Sequence, residues 1–169
     1  MKKPLFLILF ALITVVSFSQ TQYEVIQENG GQKILKGILS KDLITKDPDF
    51  KWYTQNLKPY PAEKETAIKF SKQKDSIQLI VFLGTWCEDS HVIIPKLFPF
   101  LDAAGFPNER LTVVGVDRNK KTISHLSDAF NVTNVPTVIV MKEGKELGRV
   151  VEYGRTGMVE NEITEIATK

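Results

Sequence analysis

Cysteine is almost absent from this chain: one residue, Cys87, in 169. A single thiol excludes an internal disulfide, so the fold must stand on burial. In an oxidising compartment an odd cysteine is either buried and inert or a thiol that meets other proteins. Histidine is nearly as scarce, with only His91 and His125. Cys87 and His91 are the only adjacent soft ligands, so a closed zinc site has too few donors and no metal is expected. No glycine-rich phosphate loop and no nucleophile-elbow pattern is present, and no cofactor is expected. Excess charge is missing too. The formal +2 belongs to Lys2 and Lys3, without which the 22 basic residues come level with the 20 acidic ones. That balance gives no electrostatic case for nucleic acid or an anionic membrane as partner. Internal repeats and low-complexity segments are also lacking.

The first nineteen residues are the exception to this evenness. Lys2 and Lys3 precede an apolar run from Leu5 to Val16 that only Thr14 interrupts, and Ser17 and Ser19 are small residues at minus three and minus one before Gln20. The pattern predicts a cleaved export signal over residues 1–19. The run is short of the about 20 apolar residues of an ordinary membrane-spanning helix. An uncleaved anchor is the alternative. There is no twin arginine, and no cysteine near the cleavage point to take a lipid. The expected location is periplasmic or extracellular, with no membrane association after cleavage. The mature chain has about the length of one domain and can bury roughly 68–70% of its unfolded surface.

Residues 20–75 read as an N-terminal extension. Tyr23–Gln27 and Gln32–Leu39 are predicted strands around a turn at Asn29-Gly30-Gly31. Asp47-Pro48 reads as an N-cap and first helical position for a segment reaching Leu57, ended by Pro59 and Pro61. Ala62–Lys72 is a second predicted helix, and Trp52, Tyr53 and Tyr60 are expected to pack beneath the extension. Residues 76–169 are more regular. Strands are predicted at Ile77–Leu83, Leu111–Val116, Thr137–Met141 and Glu146–Tyr153, the last two joined by a tight turn at 142–145. Helices are predicted at Glu88–Ala104 (interrupted by Pro95), Thr122–Phe130 and Met158–Ala167. The order implies an α/β fold with a mixed central sheet flanked by helices.

The chemistry concentrates at Trp86-Cys87-Glu88-Asp89-Ser90, where a buried strand hands over to a helix. A sulfur at that corner lies over the positive end of the helix dipole, which favours the thiolate, while Glu88 and Asp89 oppose it. His91 lies one turn further on. It reads as a solvated helix residue, with help to the thiolate as the alternative. Asp117, ending a core strand, reads as a turn or cap residue. The strand–helix order with Trp-Cys at the first corner resembles the thioredoxin family over about Ile77 to Lys169. Pro95, Val135-Pro136, Gly144 and Gly154 all fall where that family places prolines and glycines. The resemblance implies a thioredoxin-like fold, a cis bond at Val135-Pro136 facing the cysteine, and Val135 and Pro136 holding an extended substrate segment. Trp86 would then form an apolar wall, and Ser90 would donate a hydrogen bond to the Cys87 thiolate.

The departures are as informative. Ser90 stands where a Cys-x-x-Cys pair would have its second thiol. The family's buried acid would fall at Val81 and its lysine partner near Val113. A copper-binding member would show two cysteines and a histidine, and a peroxiredoxin-like site would show a proline and threonine before the cysteine; neither pattern is present. The expected function is thiol–disulfide exchange through one cysteine, with mixed disulfides formed on other exported proteins. A second thiol on the substrate, or a membrane or small-molecule thiol reductant, would resolve them. Two alternatives stay open: a non-catalytic binding module using the groove and the extension, and a Cys87–Cys87 bridge across a dimer.

Overall fold

The computed structural model describes residues 22–57 and 64–169. The expected export signal, and Pro59, Tyr60 and Pro61 between the two predicted helices, lie outside the described residues. Two strands open the fold, β1 (Tyr23–Gln27) and β2 (Lys33–Leu39). They form a hairpin whose corner uses Gly30 and Gly31 at φ 100° and 83°, values that glycine adopts without strain. Three short helices follow: α1 (Asp42–Thr45), α2 (Lys51–Asn56) and α3 (Lys64–Ser71). Then come β3 (Gln78–Leu83), α4 (Glu88–Ala103) and β4 (Leu111–Gly115). The chain closes with α5 (Leu126–Ala129), β5 (Thr137–Lys142), β6 (Lys145–Val151) and α6 (Val159–Ala167).

All six strands form one sheet in the order β1-β2-β4-β3-β5-β6. Only β3 and β4 are parallel, as the long crossover through α4 requires. The hairpin of the extension joins this sheet because β2 pairs antiparallel with β4, Gly37 opposite Gly115. A Cβ at Gly115 would lie 2.2 Å from the Leu35 carbonyl oxygen, so the close approach of these strands needs glycine there. The mixed α/β sheet expected from the element order is therefore found, and the extension supplies two of its strands.

Strand alternation divides the core. Leu79, Val81 and Leu83 of β3 face one side, with Val113, Val138 and Val140 from the neighbouring strands. There they meet Phe50 and Tyr53, Phe70 of α3, Leu97 and Phe98 of α4, and Ile163 of α6. Phe82, Val114 and Ile139 face the other side, with Val132, Val135 and the partly buried Trp86 and Cys87. Each fully buried Leu or Phe contributes about 1.5–3 kcal/mol of hydrophobic stabilisation, an upper estimate that uses an extended unfolded chain. The Cys87 corner thus stands on the smaller core, with the larger one behind it.

Four local expectations are corrected. Asp47 does not cap a helix: its Oδ1 accepts from Asp49 N at 3.0 Å and its Oδ2 from Lys33 Nζ at 2.5 Å, so α2 begins only at Lys51. Pro95 does not interrupt α4, which runs on through a second proline, Pro99. Each proline removes one backbone donor, and burial of Ile94, Leu97, Phe98 and Leu101 holds the helix across the gaps. Thr122–Phe130 is not one helix, because Ser124 and His125 adopt φ 58° and 55° and leave only a 3-10 turn (Ile123–His125) before α5. The last strand stops at Val151, short of Tyr153.

Candidate functional site

The corner between β3 and α4 is tied down by a hydroxyl. Thr85 is buried; its Oγ1 donates to the Lys33 carbonyl at 3.1 Å and accepts from Leu35 N at 3.2 Å. It thereby takes the place of a pairing strand residue against β2 and fixes the loop that carries the thiol. Cys87 N donates to Gly84 O at 2.9 Å, closing a tight turn. Cys87 itself is the N-cap residue of α4, extended at φ −91° and ψ 123°, with no side-chain cap bond. Its sulfur therefore stays available at the helix N-terminus, where the acidic Glu88 and Asp89 occupy the first turn. The half-buried thiol donates to the Val135 carbonyl at 3.2 Å.

Val135 and Pro136 sit immediately before β5, and the peptide bond between them is cis. The Val135 side chain is buried in the smaller core while its backbone faces the sulfur. Its N–H has no hydrogen-bond partner among the described residues. Cys87 and Val135, 48 positions apart in sequence, are thus brought together as the sequence implied.

Ser90 is fully buried, and its hydroxyl accepts from Gly84 N at 3.2 Å. The expected bond to the Cys87 sulfur is not the one formed; Ser90 holds the turn that carries the sulfur. Beneath the corner, Val81 and Val113 are register partners on β3 and β4, and both are buried. The two positions where a buried acid and lysine were sought form one apolar contact across the sheet.

Trp86 is a fixed wall. Its Nε1 donates to Val116 O at 3.0 Å, and a Cβ at Gly84 would come within 2.8 Å of the indole. Arg118 lies 5.3 Å and Lys120 5.6 Å from the ring centroid, so the indole carries two cations as well as an apolar face. Asp117 has the turn role expected of it: its Oδ1 accepts from Asn119 N and Lys121 N at 2.9 and 3.0 Å, and its Oδ2 pairs with Lys36 at 3.0 Å.

His91 differs from its expected solvated role. Its Nε2 lies 2.8 Å from Thr85 O, which requires the proton on Nε2, and its ring stacks on Trp52 at 4.3 Å and 14°. It braces the loop from behind, at the edge of a pocket of about 270 Å³ that Lys33, Trp52 and Thr85 also line. Tyr153 and Thr85 are site residues that sequence reasoning missed. Burial first, then the hydrogen bond and charge of Asp89, and then the Cys87 charge, raise the Tyr153 phenol above its ordinary range, placing that side chain at the same corner. Nothing local marks Tyr153, which the turn after β6 brings in from far along the chain. No cluster of metal-ligating side chains exists among the described residues.

Comparison with known proteins agrees with this geometry. Residues 45–162 match the family profile described as thioredoxin. A thioredoxin from Echinococcus granulosus is 31% identical over 94 residues, covering 56% of this chain and 82% of that protein. An H-type thioredoxin from Fagopyrum esculentum is 34% identical over 85 residues, 49% of this chain and 68% of that one. Among solved structures, a Pseudomonas aeruginosa protein of unknown function aligns with TM-score 0.40 and 16% identity, over 68% of this chain and 88% of that chain, too loosely to carry weight.

Proposed function

This chain belongs to the thioredoxin family, and from that premise we propose that it performs thiol–disulfide exchange with one thiol, Cys87, on other exported proteins. The observation that carries the reading is the Cys87 sulfur at the N-terminus of α4, 3.2 Å from the Val135 carbonyl, in a chain with no second cysteine.

The step is balanced within the partner. Cys87 loses its proton to solvent, and the thiolate attacks one sulfur of a partner cystine. The new Sγ–S bond forms as the partner's S–S bond breaks, and the electron pair leaves on the other partner sulfur. Loss of the proton frees Val135 O, which with the unpaired Val135 N–H offers two backbone groups to an extended segment. Ser90 cannot attack the mixed disulfide. A partner thiol releases it with no net oxidation, giving isomerisation, or an external thiol reductant releases it and is itself oxidised. The apolar Val81–Val113 floor is consistent with a site that never deprotonates a second, buried thiol.

Incubating the mature protein with a scrambled-disulfide substrate and quenching with acid tests this. The expected result is a covalent adduct on a non-reducing gel that Cys87→Ala does not form. An absence of adduct from the unaltered protein sinks the reading. In that case the resting bond from the thiol to Val135 O favours the binding-module reading, on which Cys87→Ala retains partner capture. Export is part of the proposal, supported by Lys2, Lys3, the Leu5–Val16 run and the small residues Ser17 and Ser19. Sequencing the N-terminus of the exported chain is expected to give Gln20 first; a membrane-bound chain that retains Met1 would overturn cleavage.

A further inference from the structure

The two rims of the Cys87 corner carry unlike charge. On one rim the Trp86 indole lies under Arg118 and Lys120. Arg118 is committed to Glu28 at 2.8 Å, whereas Lys120 has no carboxylate partner among the described residues. On the other rim, Glu152 borders Val135-Pro136. Its N–H donates to Pro136 O at 2.7 Å, and its carboxylate accepts from Asn134 Nδ2 at 2.8 Å. Asp89 lies in the first turn of α4; burial and then the nearby Asp89 carboxylate raise the Tyr153 phenol, and Tyr153 is itself 41% exposed. Neither Asp89 nor Glu152 has a cationic partner among the described residues.

A segment lying across the sulfur from Trp86 to Tyr153 therefore passes from an ammonium to two carboxylates, none of them ion-paired among the described residues. We propose that the corner selects cystine-bearing segments with a carboxylate on the Trp86 side of the reacting cysteine and a cation on the Tyr153 side. This rests on the exchange reading and names its substrate class. With basic and acidic residues level over the chain that follows Lys2 and Lys3, long-range steering has little to act on. The discrimination is local, acting within the Debye length of about 10 Å at 0.1 M salt. It is also repulsive: the reversed segment sets its acid against Asp89 and Glu152 and its base against Lys120.

Short synthetic peptides test it, each with one cysteine joined as a mixed disulfide to thionitrobenzoate. Attack by Cys87 forms the protein–peptide disulfide and releases coloured thionitrobenzoate. One peptide has aspartates before the cysteine and lysines after it, a second has the reverse order, and a third is neutral. Each rate is divided by that of the neutral peptide in the same variant, so a general loss of folding cancels. At low ionic strength one order is expected to react about tenfold faster than the other. Lys120→Glu should bring the ratio close to one, and salt should compress it. Equal rates for both orders in the unaltered protein overturn the polarity while leaving the exchange reading intact. Release no faster than by Cys87→Ala from every peptide removes the exchange reading, and the polarity with it.

Discussion

Ser90 and Thr85 hold the Cys87 corner by hydrogen bonds that can be removed one at a time. Thr85→Val keeps the shape but leaves Leu35 N and the Lys33 carbonyl without their partner. Leaving buried polar groups unpaired costs about 1–3 kcal/mol, so the urea midpoint should fall by that equivalent. An unchanged midpoint would mean that β2 and the loop are held otherwise. Ser90→Cys supplies the missing second thiol at a fully buried position. Intramolecular attack should shorten the life of trapped adducts by about tenfold or more; adducts as long-lived as before would show that burial keeps that position out of reach. Cys87 and Trp86 could be read from the chain as rare residues at a predicted element boundary, whereas Val135-Pro136 came from the resemblance to the family. Thr85, His91 and Tyr153 could not. A threonine that substitutes for strand pairing and a histidine stacked on a tryptophan 39 positions away owe their roles to β2 and α2, which periodicity does not place in space.

Among the elements, the strands were the most readable, since short runs rich in β-branched and aromatic residues between turn signals have few other uses. Helix ends were less so, because side-chain partners decide them. Asp47 has the chemistry of a cap, yet Lys33 lies beside it in the fold and wins its carboxylate. The segment before α5 failed for a different reason. Ile123, Leu126 and Phe130 keep helical spacing, but spacing carries no information about φ, and Ser124 and His125 are left-handed. A non-glycine residue there costs roughly 1–2 kcal/mol, partly offset in a glycine variant by greater freedom when unfolded. Ser124 is exposed, so Ser124→Gly is expected to raise stability by up to about 1 kcal/mol in urea melts. A loss of stability would show that the Ser124 side chain contributes something the backbone strain conceals.

Charge couples the molecule as a whole to pH. Burial works to raise the Asp47 and Asp117 carboxyls, but Lys33 and Lys36 and the nearby backbone N–H donors outweigh it and hold both below the ordinary range. A carboxyl lowered in the folded state stabilises above its unfolded pKa, near 3.9 for aspartate, and loses that contribution as pH falls through the folded value. The urea midpoint should therefore fall as pH drops below about 4, less steeply in Asp117→Asn. These groups are partly exposed, so salt should blunt the effect. Glu160 has the opposite sign. Burial at the start of α6 raises its carboxyl, so ionising it opposes the fold. Glu160→Gln should stabilise at neutral pH, with the gain disappearing below about pH 4, where both states are protonated.

The seating of β2 between β1 and β4 also sets an order of events in time. The ribosome makes the hairpin first, yet its inner edge has no mate until Gly115 has been added. Wherever the chain folds, that edge stays open until residues 111–115 reach it. Thr85 emerges during the wait and has nothing to grip until the hairpin swings home. The newborn chain thus passes through a period with a naked strand edge and an unset thiol, and both hazards end with the same docking event.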